Sequence, residues 1–508
     1  MRKIFLITLF FSLFFALPLF AQTDTAWVRT YSGPYDWDSA RDMAVDELGN
    51  VYVTGSSKID YYIQDYATIK YYPNGDTAWM RRYCGPKNDQ AGPNDLAIDD
   101  SGNVYVTGYS PDTIYGQWYA TIKYYPNGDT AWVRRYHGKG SGYDTGISIA
   151  VDSSLNVYVT GASTGNGIYD YGTIKYYPNG DTAWVRLYDG PAGYNVPQDL
   201  EIDNCGNIYV IGISYGGSTN YDYATVKYYP NGDTAWARRY DGPADSDDRA
   251  YDLCVDDSGN VYVTGHSNFT ETNFDYVTIK YYPNGDTAWV RRYDGAGYYM
   301  WPVMAVAVDS KGNVCVTGSI YWSGVERDFT TIKYYPDGEL AWIRRYNGTG
   351  NSNDYAKDLT IDNSDNLYVT GYSKNSAGTY DLVTVKYSPD GSAYCAKRYN
   401  SAVSESCLPY SSAVAVDSAQ NVYLTGAMGC PTDYLIIKYY PIILVGDANS
   451  DGFLNVSDLV YLINYIFKGG SAPNPLFLGD VNNDEYLTVS DVIYLVNYLF
   501  KGGPPPIC

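Results

Sequence analysis

The sequence predicts an all-β eight-bladed β-propeller with four-stranded blades, followed by a small all-α module that contains two acidic loops. Three observations predict this. A unit of 51 to 55 residues recurs eight times between about Asp24 and Pro441. Each unit contains four short segments with the residue pattern of β-strands. Beyond Gly446 the repeat gives way to a duplicated acidic loop, each copy followed by an amphipathic segment.

Four pieces of each unit predict its four strands. In the second copy they read NDLAID, NVYVTG, YATIKYYP and DTAWVRRY. They are rich in β-branched and aromatic residues, and turn residues separate them. Radially arranged four-stranded units protect their sheet edges, whereas a solenoid needs atypical capping repeats, and none is apparent. The Asp that ends the first piece occurs in all eight copies, as Asp46, Asp99, Asp152, Asp203, Asp256, Asp309, Asp362 and Asp417.

The two ends of the repeat region predict how the ring closes. The segment from Trp27 to Tyr31 is a strand of the fourth type that precedes any complete unit. The last unit stops at Pro441, where Ile442 replaces the continuation into a fourth strand. We therefore expect the N-terminal strand to complete the last blade, and the propeller to extend over residues 22–441.

The N-terminus and the charge indicate an exported protein. Residues 1–21 have the order of a signal peptide, with Arg2 and Lys3, an apolar run to Phe20, and Ala21. A membrane-spanning helix is the alternative for this segment. We expect bacterial-type export to the medium or cell surface, without membrane insertion of the mature chain. The net charge of −22, from 35 basic and 57 acidic residues, disfavours nucleic acid as a partner.

The connections within each unit divide into two constant turns and two variable links. The turns at Asp100–Asn103 and Pro126–Asp129 predict tight hairpins in which Gly or Asn supplies a positive φ. The variable links join the second strand to the third and the fourth strand to the next unit. In an up-and-down blade both links open on one face, so ligand-binding loops are expected there.

Tryptophan placement favours the same face. Seven of the 11 Trp occupy the repeated position of the fourth strand and are expected to pack between blades. The other four, Trp37, Trp118, Trp301 and Trp322, fall in the predicted variable loops. Exposed aromatic rings stack on sugars or anchor proteins, although these rings can also simply cap the blade ends. The candidate ligand-binding cluster, within one blade, is Tyr298, Tyr299, Trp301, Tyr321 and Trp322.

No catalytic constellation stands out in the sequence. His137 and His266 are the two histidines, and we expect them in variable loops of different blades. No nucleophile elbow, zinc motif or phosphate loop is present. We therefore expect a non-catalytic propeller that binds a glycan or a protein. The alternative is a polysaccharide-degrading enzyme, a glycoside hydrolase or lyase, whose acid pair is hidden among the 57 carboxylates.

Two copies of an acidic pattern lie 33 residues apart near the C-terminus, beginning GDANSDG and GDVNNDE. Asp-x-Asn-x-Asp with another Asp at the twelfth position has the spacing of an EF-hand loop, whose oxygen ligands suit calcium. We therefore predict two calcium ions. The predicted ligands are Asp447, Asn449, Asp451, the Phe453 carbonyl, Asn455 and Asp458 in the first loop, and Asp480, Asn482, Asp484, the Tyr486 carbonyl, Thr488 and Asp491 in the second.

An amphipathic helix is predicted after each loop, and no apolar helix precedes the first. In these features, residues 442–508 resemble a type I dockerin. The resemblance implies calcium-dependent folding and binding to a cohesin-type domain of a scaffold protein. It also implies two sets of recognition residues, Val456, Ser457, Ile463, Asn464 and Lys468, and Val489, Ser490, Val496, Asn497 and Lys501.

The repeats resemble the SBBP β-propeller repeat family, through stretches such as DSGNVYVTG and DYATIKY. That family implies seven blades, whereas the copies counted here number eight, and we expect eight. Taken together, we expect a secreted propeller that binds a ligand on its variable-loop face. The dockerin-like module would tether it to an extracellular complex through a calcium-dependent cohesin interaction.

Overall fold

The structure is a computed structural model. It describes residues 25–506 except 36, 88, 113–115, 141, 166–167, 218–219, 245, 271–272, 295–302, 322–325, 393, 404–409, 430–431, 443–444, 450–453, 475, 483, 485 and 502–505. The predicted signal peptide therefore lies outside the described residues. The chain divides into two compact units. The larger comprises residues 24–391 and 396–442, and the smaller includes residues 443–508 with the short segment 392–395.

Thirty-two strands are present among the described residues. In chain order they are β1 (Thr25–Tyr31), β2 (Asp38–Val45), β3 (Val51–Lys58), β4 (Gln64–Tyr71), β5 (Thr77–Tyr83), β6 (Gly92–Ile98), β7 (Val104–Asp112), β8 (Gly116–Tyr124), β9 (Thr130–Tyr136), β10 (Thr145–Val151), β11 (Val157–Thr164), β12 (Tyr169–Tyr176), β13 (Thr182–Tyr188), β14 (Asn195–Ile202), β15 (Ile208–Tyr215), β16 (Tyr221–Tyr228), β17 (Thr234–Tyr240), β18 (Asp248–Val255), β19 (Val261–Thr270), β20 (Asn273–Tyr281), β21 (Thr287–Tyr293), β22 (Val303–Val308), β23 (Val314–Tyr321), β24 (Arg327–Tyr334), β25 (Leu340–Tyr346), β26 (Asp354–Ile361), β27 (Leu367–Lys374), β28 (Tyr380–Tyr387), β29 (Tyr394–Val403), β30 (Tyr410–Val416), β31 (Val422–Met428) and β32 (Asp433–Tyr439).

These strands form eight four-stranded antiparallel sheets within the described part of the chain. Blade one contains β2 to β5, and each later blade takes the next four strands. Blade eight contains β30, β31 and β32, and its fourth strand is β1, which pairs with β32 in the register Val28 to Ile437. The first strands of successive blades contact one another around a closed ring, from β2 through β30 and back to β2. The predicted eight blades and the closure by the N-terminal strand are confirmed.

The fourth strand of each typical blade is attached to the next blade by a Trp and an Arg. Trp79 donates its indole N–H to the Pro126 carbonyl at 3.0 Å, and Arg81 donates from Nε to the Gly128 carbonyl at 2.6 Å. The same pair occurs where the ring closes, since Trp27 donates to Pro73 at 3.0 Å and Arg29 to Gly75. In the eighth Trp position stands Cys395, which is buried and disulfide-bonded.

The constant turns explain most of the repeated Asp residues. Asp99 accepts the backbone N–H groups of Ser101 and Asn103, and its other oxygen accepts the Tyr105 hydroxyl at 2.8 Å. Gly102 closes this turn with a φ of 76°, a conformation that favours glycine. The repeated carboxylates at the constant turns are therefore structural, as the turn chemistry predicts.

The smaller unit contains the helices α1 (Val456–Lys468) and α2 (Val489–Lys501), with a short 3-10 helix at Leu476–Gly479 between them. Helix α1 begins at a capping box formed by Asn455 and Asp458, and ends where Gly469 adopts a φ of 68°. The two helices contact each other, and Leu462 and Leu495 are fully buried. No helix in the described part of the chain is long and apolar enough to cross a membrane.

Candidate functional site

A β-bulge interrupts the first strand of every blade, on the wall of the central channel. In β18 the pairing with β19 skips one residue between Ala250 and Asp252. A bulge of this kind re-aims a side chain and is common next to binding sites. The bulged residues are Arg41, Asn94, Ile147, Gln198, Tyr251, Met304, Lys357 and Ser412.

The residue after the bulge is an aspartate in five of the eight blades, as read from the sequence. Its carboxylate accepts a backbone N–H from the following blade. Asp252 binds the N–H of Val306 at 2.6 Å, and Asp358 binds that of Val414 at 2.8 Å. The first strand lies at the edge of its sheet, where every second N–H points away from the ladder, so the carboxylate supplies the acceptor that this N–H would lack. The residues at this position are Asp42, Asp95, Ser148, Asp199, Asp252, Ala305, Asp358 and Ala413.

A cavity of about 470 Å³ opens at this level of the channel. This volume is within the range of small-molecule sites, about 300–1,000 Å³. Each of the first five blades contributes its bulged residue and the residue that follows. The lining residues are Arg41, Asp42, Asn94, Asp95, Ile147, Ser148, Gln198, Asp199, Tyr251 and Asp252.

The channel carboxyls hold protons more tightly than exposed ones. Burial raises the pKa of Asp42, and it raises the pKa of Asp95 well above the ordinary value, with a further increase from the neighbouring Asp42. The two carboxyl groups interact directly, and this interaction raises the pKa of Asp95 and lowers that of Asp42. Asp199 and Asp252 form an equivalent pair, and burial raises the pKa of Asp199 to about 6. Burial of these wall carboxyls therefore favours their protonated form, in which a carboxyl can donate as well as accept a hydrogen bond.

Asp358 tests whether burial alone raises the pKa of a channel carboxyl, because the corresponding residues of the two adjacent blades are Ala305 and Ala413. Burial raises its pKa from 3.8 to about 6, so its carboxylate form is disfavoured in the folded state. The stabilising effect of the protonated group is complete below about pH 4 and is lost as the pH rises through about 6. As the pH rises from about 4 to 7, we expect the free energy of unfolding of Asp358→Asn to increase relative to that of the wild type by up to about 3 kcal/mol.

Chemical unfolding of both proteins across this pH range measures the difference. Asp100→Asn, at an exposed carboxylate of a constant turn, is the matched control and should not show this trend. A stability difference between Asp358→Asn and the wild type that does not vary with pH would contradict the shifted titration.

The predicted aromatic cluster is only partly described. Tyr298, Tyr299, Trp301 and Trp322 lie outside the described residues, so this cluster stays a prediction. Tyr321 ends β23, and the guanidinium carbon of Arg327 lies 4.6 Å from its ring centroid.

Two of the loop assignments are wrong. Trp118 lies in β8 and His266 in β19, because in every blade the second and third strands extend beyond the repeated sequence pieces. The ring of His266 packs against Tyr251 with a centroid distance of 5.3 Å, and burial lowers its pKa to about 4. Trp37, 52% exposed, does lie outside the strands, with Lys58 5.6 Å from its ring. His137 also follows a strand, and its ring lies 4.3 Å from that of Trp118.

The first predicted calcium loop is partly described, with Asp451 and Phe453 outside the described residues. Asp458, at the twelfth position, is fully buried. Its two oxygens accept the backbone N–H groups of Asn449 at 3.3 Å and Asn455 at 2.8 Å. One carboxylate therefore ties the beginning of the loop to its end. Asp447 is also buried.

The second loop repeats this arrangement. Asp491 accepts the N–H groups of Val481 at 3.0 Å and Thr488 at 2.7 Å. Asp484 donates its N–H to Asp480 at 3.1 Å. Burial and then the charges of Asp480 and Asp484 raise the pKa of Asp491 to about 6. An all-oxygen donor set in which carboxylates crowd one another is chemically suited to calcium, which would relieve that repulsion.

The predicted partner-binding residues lie along one exposed side of each helix or at its start. In α1, Val456, Ser457 and Lys468 are exposed, and Ile463 and Asn464 are half-buried. Helix α2 has the same distribution, with Val489, Ser490 and Lys501 exposed, and Val496 and Asn497 half-buried. Phe467 and Phe500, which are not among the predicted residues, are exposed at equivalent positions of the two helices.

Comparison with known proteins agrees with this architecture. Five segments match the family model of the SBBP beta-propeller repeat, residues 26–62, 81–116, 132–169, 235–274 and 341–376. The smaller unit matches the dockerin type I domain over residues 445–500.

A curated relative is the uncharacterized WD repeat-containing protein L264 of Acanthamoeba polyphaga mimivirus, 24% identical over 492 residues. That match covers 77% of this chain but only 33% of L264, so the chain spans about a third of that protein's length.

Two solved structures to which this chain is similar have little sequence in common with it. Sqt1 of Chaetomium thermophilum is 9% identical with a TM-score of 0.49, over 84% of this chain and 99% of Sqt1. The polysaccharide lyase Uly1 is 10% identical with a TM-score of 0.41, over 71% of this chain and 91% of Uly1. The chain thus combines an eight-bladed propeller of SBBP beta-propeller repeats with a C-terminal dockerin type I domain.

Proposed function

We propose that this protein is a secreted glycan-binding propeller that its dockerin domain attaches to a cohesin-type domain of an extracellular scaffold. The channel cavity is the observation that supports the glycan ligand. Its lining combines amides (Asn94, Gln198), paired carboxyls, a guanidinium (Arg41) and a tyrosine ring (Tyr251). Sugar hydroxyls both donate and accept hydrogen bonds, so they need this mixture of partners, and an aromatic ring packs on the apolar face of a pyranose.

The charge of the site favours a neutral sugar. Five of the eight residues that follow a bulge are aspartates, and two of the eight bulged residues, Arg41 and Lys357, are cations. The whole chain carries a net charge of −22. A polyanionic ligand would be repelled at long range, whereas a neutral one would not.

The attachment half of the proposal rests on the dockerin match and on the exposed apolar residues of both helices. Val456 and Val489 are 49% and 44% exposed at the beginning of their helices. Apolar side chains held on rigid helices are suited to a protein interface. Two calcium ions, one for each loop, would stabilise the loops that position these helices. Export by a signal peptide at residues 1–21 accords with this role and stays a prediction.

Calorimetric titration of the full chain with cello- and xylo-oligosaccharides tests the glycan site. We expect binding that Tyr251→Ala and Gln198→Ala each weaken about tenfold, the loss of one stacking or hydrogen-bonding contact. Tyr282→Ala is the matched control, because Tyr282 is 50% exposed in a constant turn and does not line the cavity. Equal losses in all three variants, or no binding at all, would refute the site.

The same samples address the enzymatic alternative. Incubation of the full chain with cellulose, xylan and polyuronates, followed by detection of new reducing or unsaturated ends, separates binding from cleavage. We expect no new ends. Turnover that Tyr251→Ala abolishes would replace the binding proposal with a polysaccharide-degrading enzyme acting at the same cavity.

A further inference from the structure

A row of tyrosines leads away from the channel cavity across blades three to five. Next to Tyr251 on β18, Arg249 lies with its guanidinium carbon 5.1 Å from the ring centroid of Tyr221. The ring of Tyr221 is 5.6 Å from that of Tyr194, which in turn is 5.6 Å from that of Tyr169. We call Tyr169, Tyr194, Tyr221 and Arg249 the tyrosine track. Its members come from three consecutive blades, and none is part of the repeated core.

Tyr194 is held in a conformation that a tyrosine rarely adopts. Its φ is 62°, directly after Gly193 with a φ of 77°. A bulky residue in the left-handed region is strained and is an outlier even in turns. The carbonyl of Tyr194 accepts the N–H of Tyr215 at 3.1 Å, and the two flanking rings pack at 87° and 64° to its own. This strain places an aromatic ring, 41% exposed, where a glycine would fold more easily.

The track is continuous with the cavity in both position and chemistry. Tyr251 lines the cavity, and its near neighbour on β18, Arg249, begins the track. Arg249 also pairs with Asp247 at 2.9 Å, so the cation at this junction is locally neutralised. A ligand that follows the track therefore meets aromatic rings, phenolic hydroxyls and a balanced ion pair. This surface has little net charge and suits a neutral polymer of pyranose rings.

We infer that the tyrosine track binds the continuation of a linear, neutral polysaccharide whose end or side group occupies the channel cavity. This inference rests on the proposed function and makes it more specific, since it requires a chain of several sugar units. Edge-to-face contacts at 87° and 64° make the aromatic surface continuous from Tyr169 to Tyr221, and the ring of Tyr194, 41% exposed between them, is the platform on which a sugar stacks. The net charge of −22 argues against pectin-like or sulfated polymers on the same path.

The dependence of affinity on chain length tests the inference. Cellobiose and cellohexaose, and xylobiose and xylohexaose, are titrated into the full chain by calorimetry. In one of the two series we expect the hexasaccharide to bind about tenfold more tightly than the disaccharide, because it reaches the stacking platform. Tyr194→Ala should reduce this gain to less than about threefold and leave disaccharide affinity unchanged.

A second variant separates loss of the ring from loss of the fold. Tyr194→Gly removes the same ring but relieves the positive φ, so it should be at least as stable as the wild type and lose the same gain. Tyr177→Ala is the control, since Tyr177 is 51% exposed in a constant turn and should keep the full gain.

The possible failures are distinguishable. If neither length of either series binds, the proposed function fails together with the track. A disaccharide that binds as tightly as the hexasaccharide leaves the cavity in place and overturns the track alone. Full chain-length dependence in both Tyr194→Ala and Tyr194→Gly also overturns it.

Discussion

Deletion of residues 22–31 is expected to open the ring and produce one of the largest losses of stability that any short change can cause in this protein. The deletion removes β1, which supplies the fourth strand of blade eight, and with it Trp27 and Arg29, which bind the first blade. The deletion therefore weakens blade eight and blade one together. The loss should exceed the ~3–5 kcal/mol typical of deleting one large buried aromatic side chain.

Scanning calorimetry measures the expected fall in melting temperature. Size-exclusion chromatography should show association, because β32 becomes an unpaired edge. Trp27→Ala and Trp132→Ala form a matched pair, since each indole donates to a proline carbonyl of the following blade, at 3.0 and 3.1 Å. The two should destabilise similarly and by less than the deletion. A deleted protein that melts like the intact one would show that blade eight does not need β1.

The sequence was sufficient to predict the strands, the constant turns and the closure, because each depends on local patterns repeated eight times. The turn around Asp99 illustrates this, since its Asp, Gly and Asn are all within five residues. Closure was predictable for a different reason. A lone fourth strand at one end and a missing fourth strand at the other leave a single way to complete the ring.

The channel wall could not be predicted in the same way. A bulge such as that at Tyr251 adds no characteristic residue, and its neighbours in the cavity come from units about 50 residues apart. One signal was present in the sequence. The bulged position differs in all eight units and is followed by Asp in five, as at Asp95 and Asp252. Variation within an otherwise constant strand is what a binding position in a repeat protein is expected to show.

The misplaced residues share a physical cause. The repeated sequence piece of the second strand ends at a Gly, such as Gly265, but in every blade the strand continues for at least two residues beyond this Gly. In blade one, for example, Ser56 pairs with Tyr66 at the position that His266 and Tyr276 occupy in blade five. His266 consequently lies within a strand, packed on Tyr251. The strained Tyr194 was likewise not predictable, because a positive φ at tyrosine follows from tertiary packing.

Removal of calcium is expected to have the second large effect, confined to the dockerin domain. An ion that binds the folded loops and hardly the unfolded chain stabilises the fold by mass action, by about 4 kcal/mol at a thousandfold excess over its dissociation constant. For a small unit with two helices this is a large part of the total stability. In chelator we expect residues 446–501 to become sensitive to protease, while the propeller stays resistant and keeps its melting temperature.

The twelfth-position carboxylates allow the ions to be counted. Asp458 and Asp491 each connect the two ends of their loop through backbone N–H groups, so their removal takes away a ligand and the loop's own closure together. Calorimetry of the full chain should find two calcium ions in the wild type, one in Asp458→Ala, one in Asp491→Ala and none in the double variant. Asp257→Ala, at an exposed carboxylate of the propeller, should keep both ions. Two ions in the double variant, or a dockerin domain equally protease-resistant in chelator, would mean that these loops are not the calcium sites.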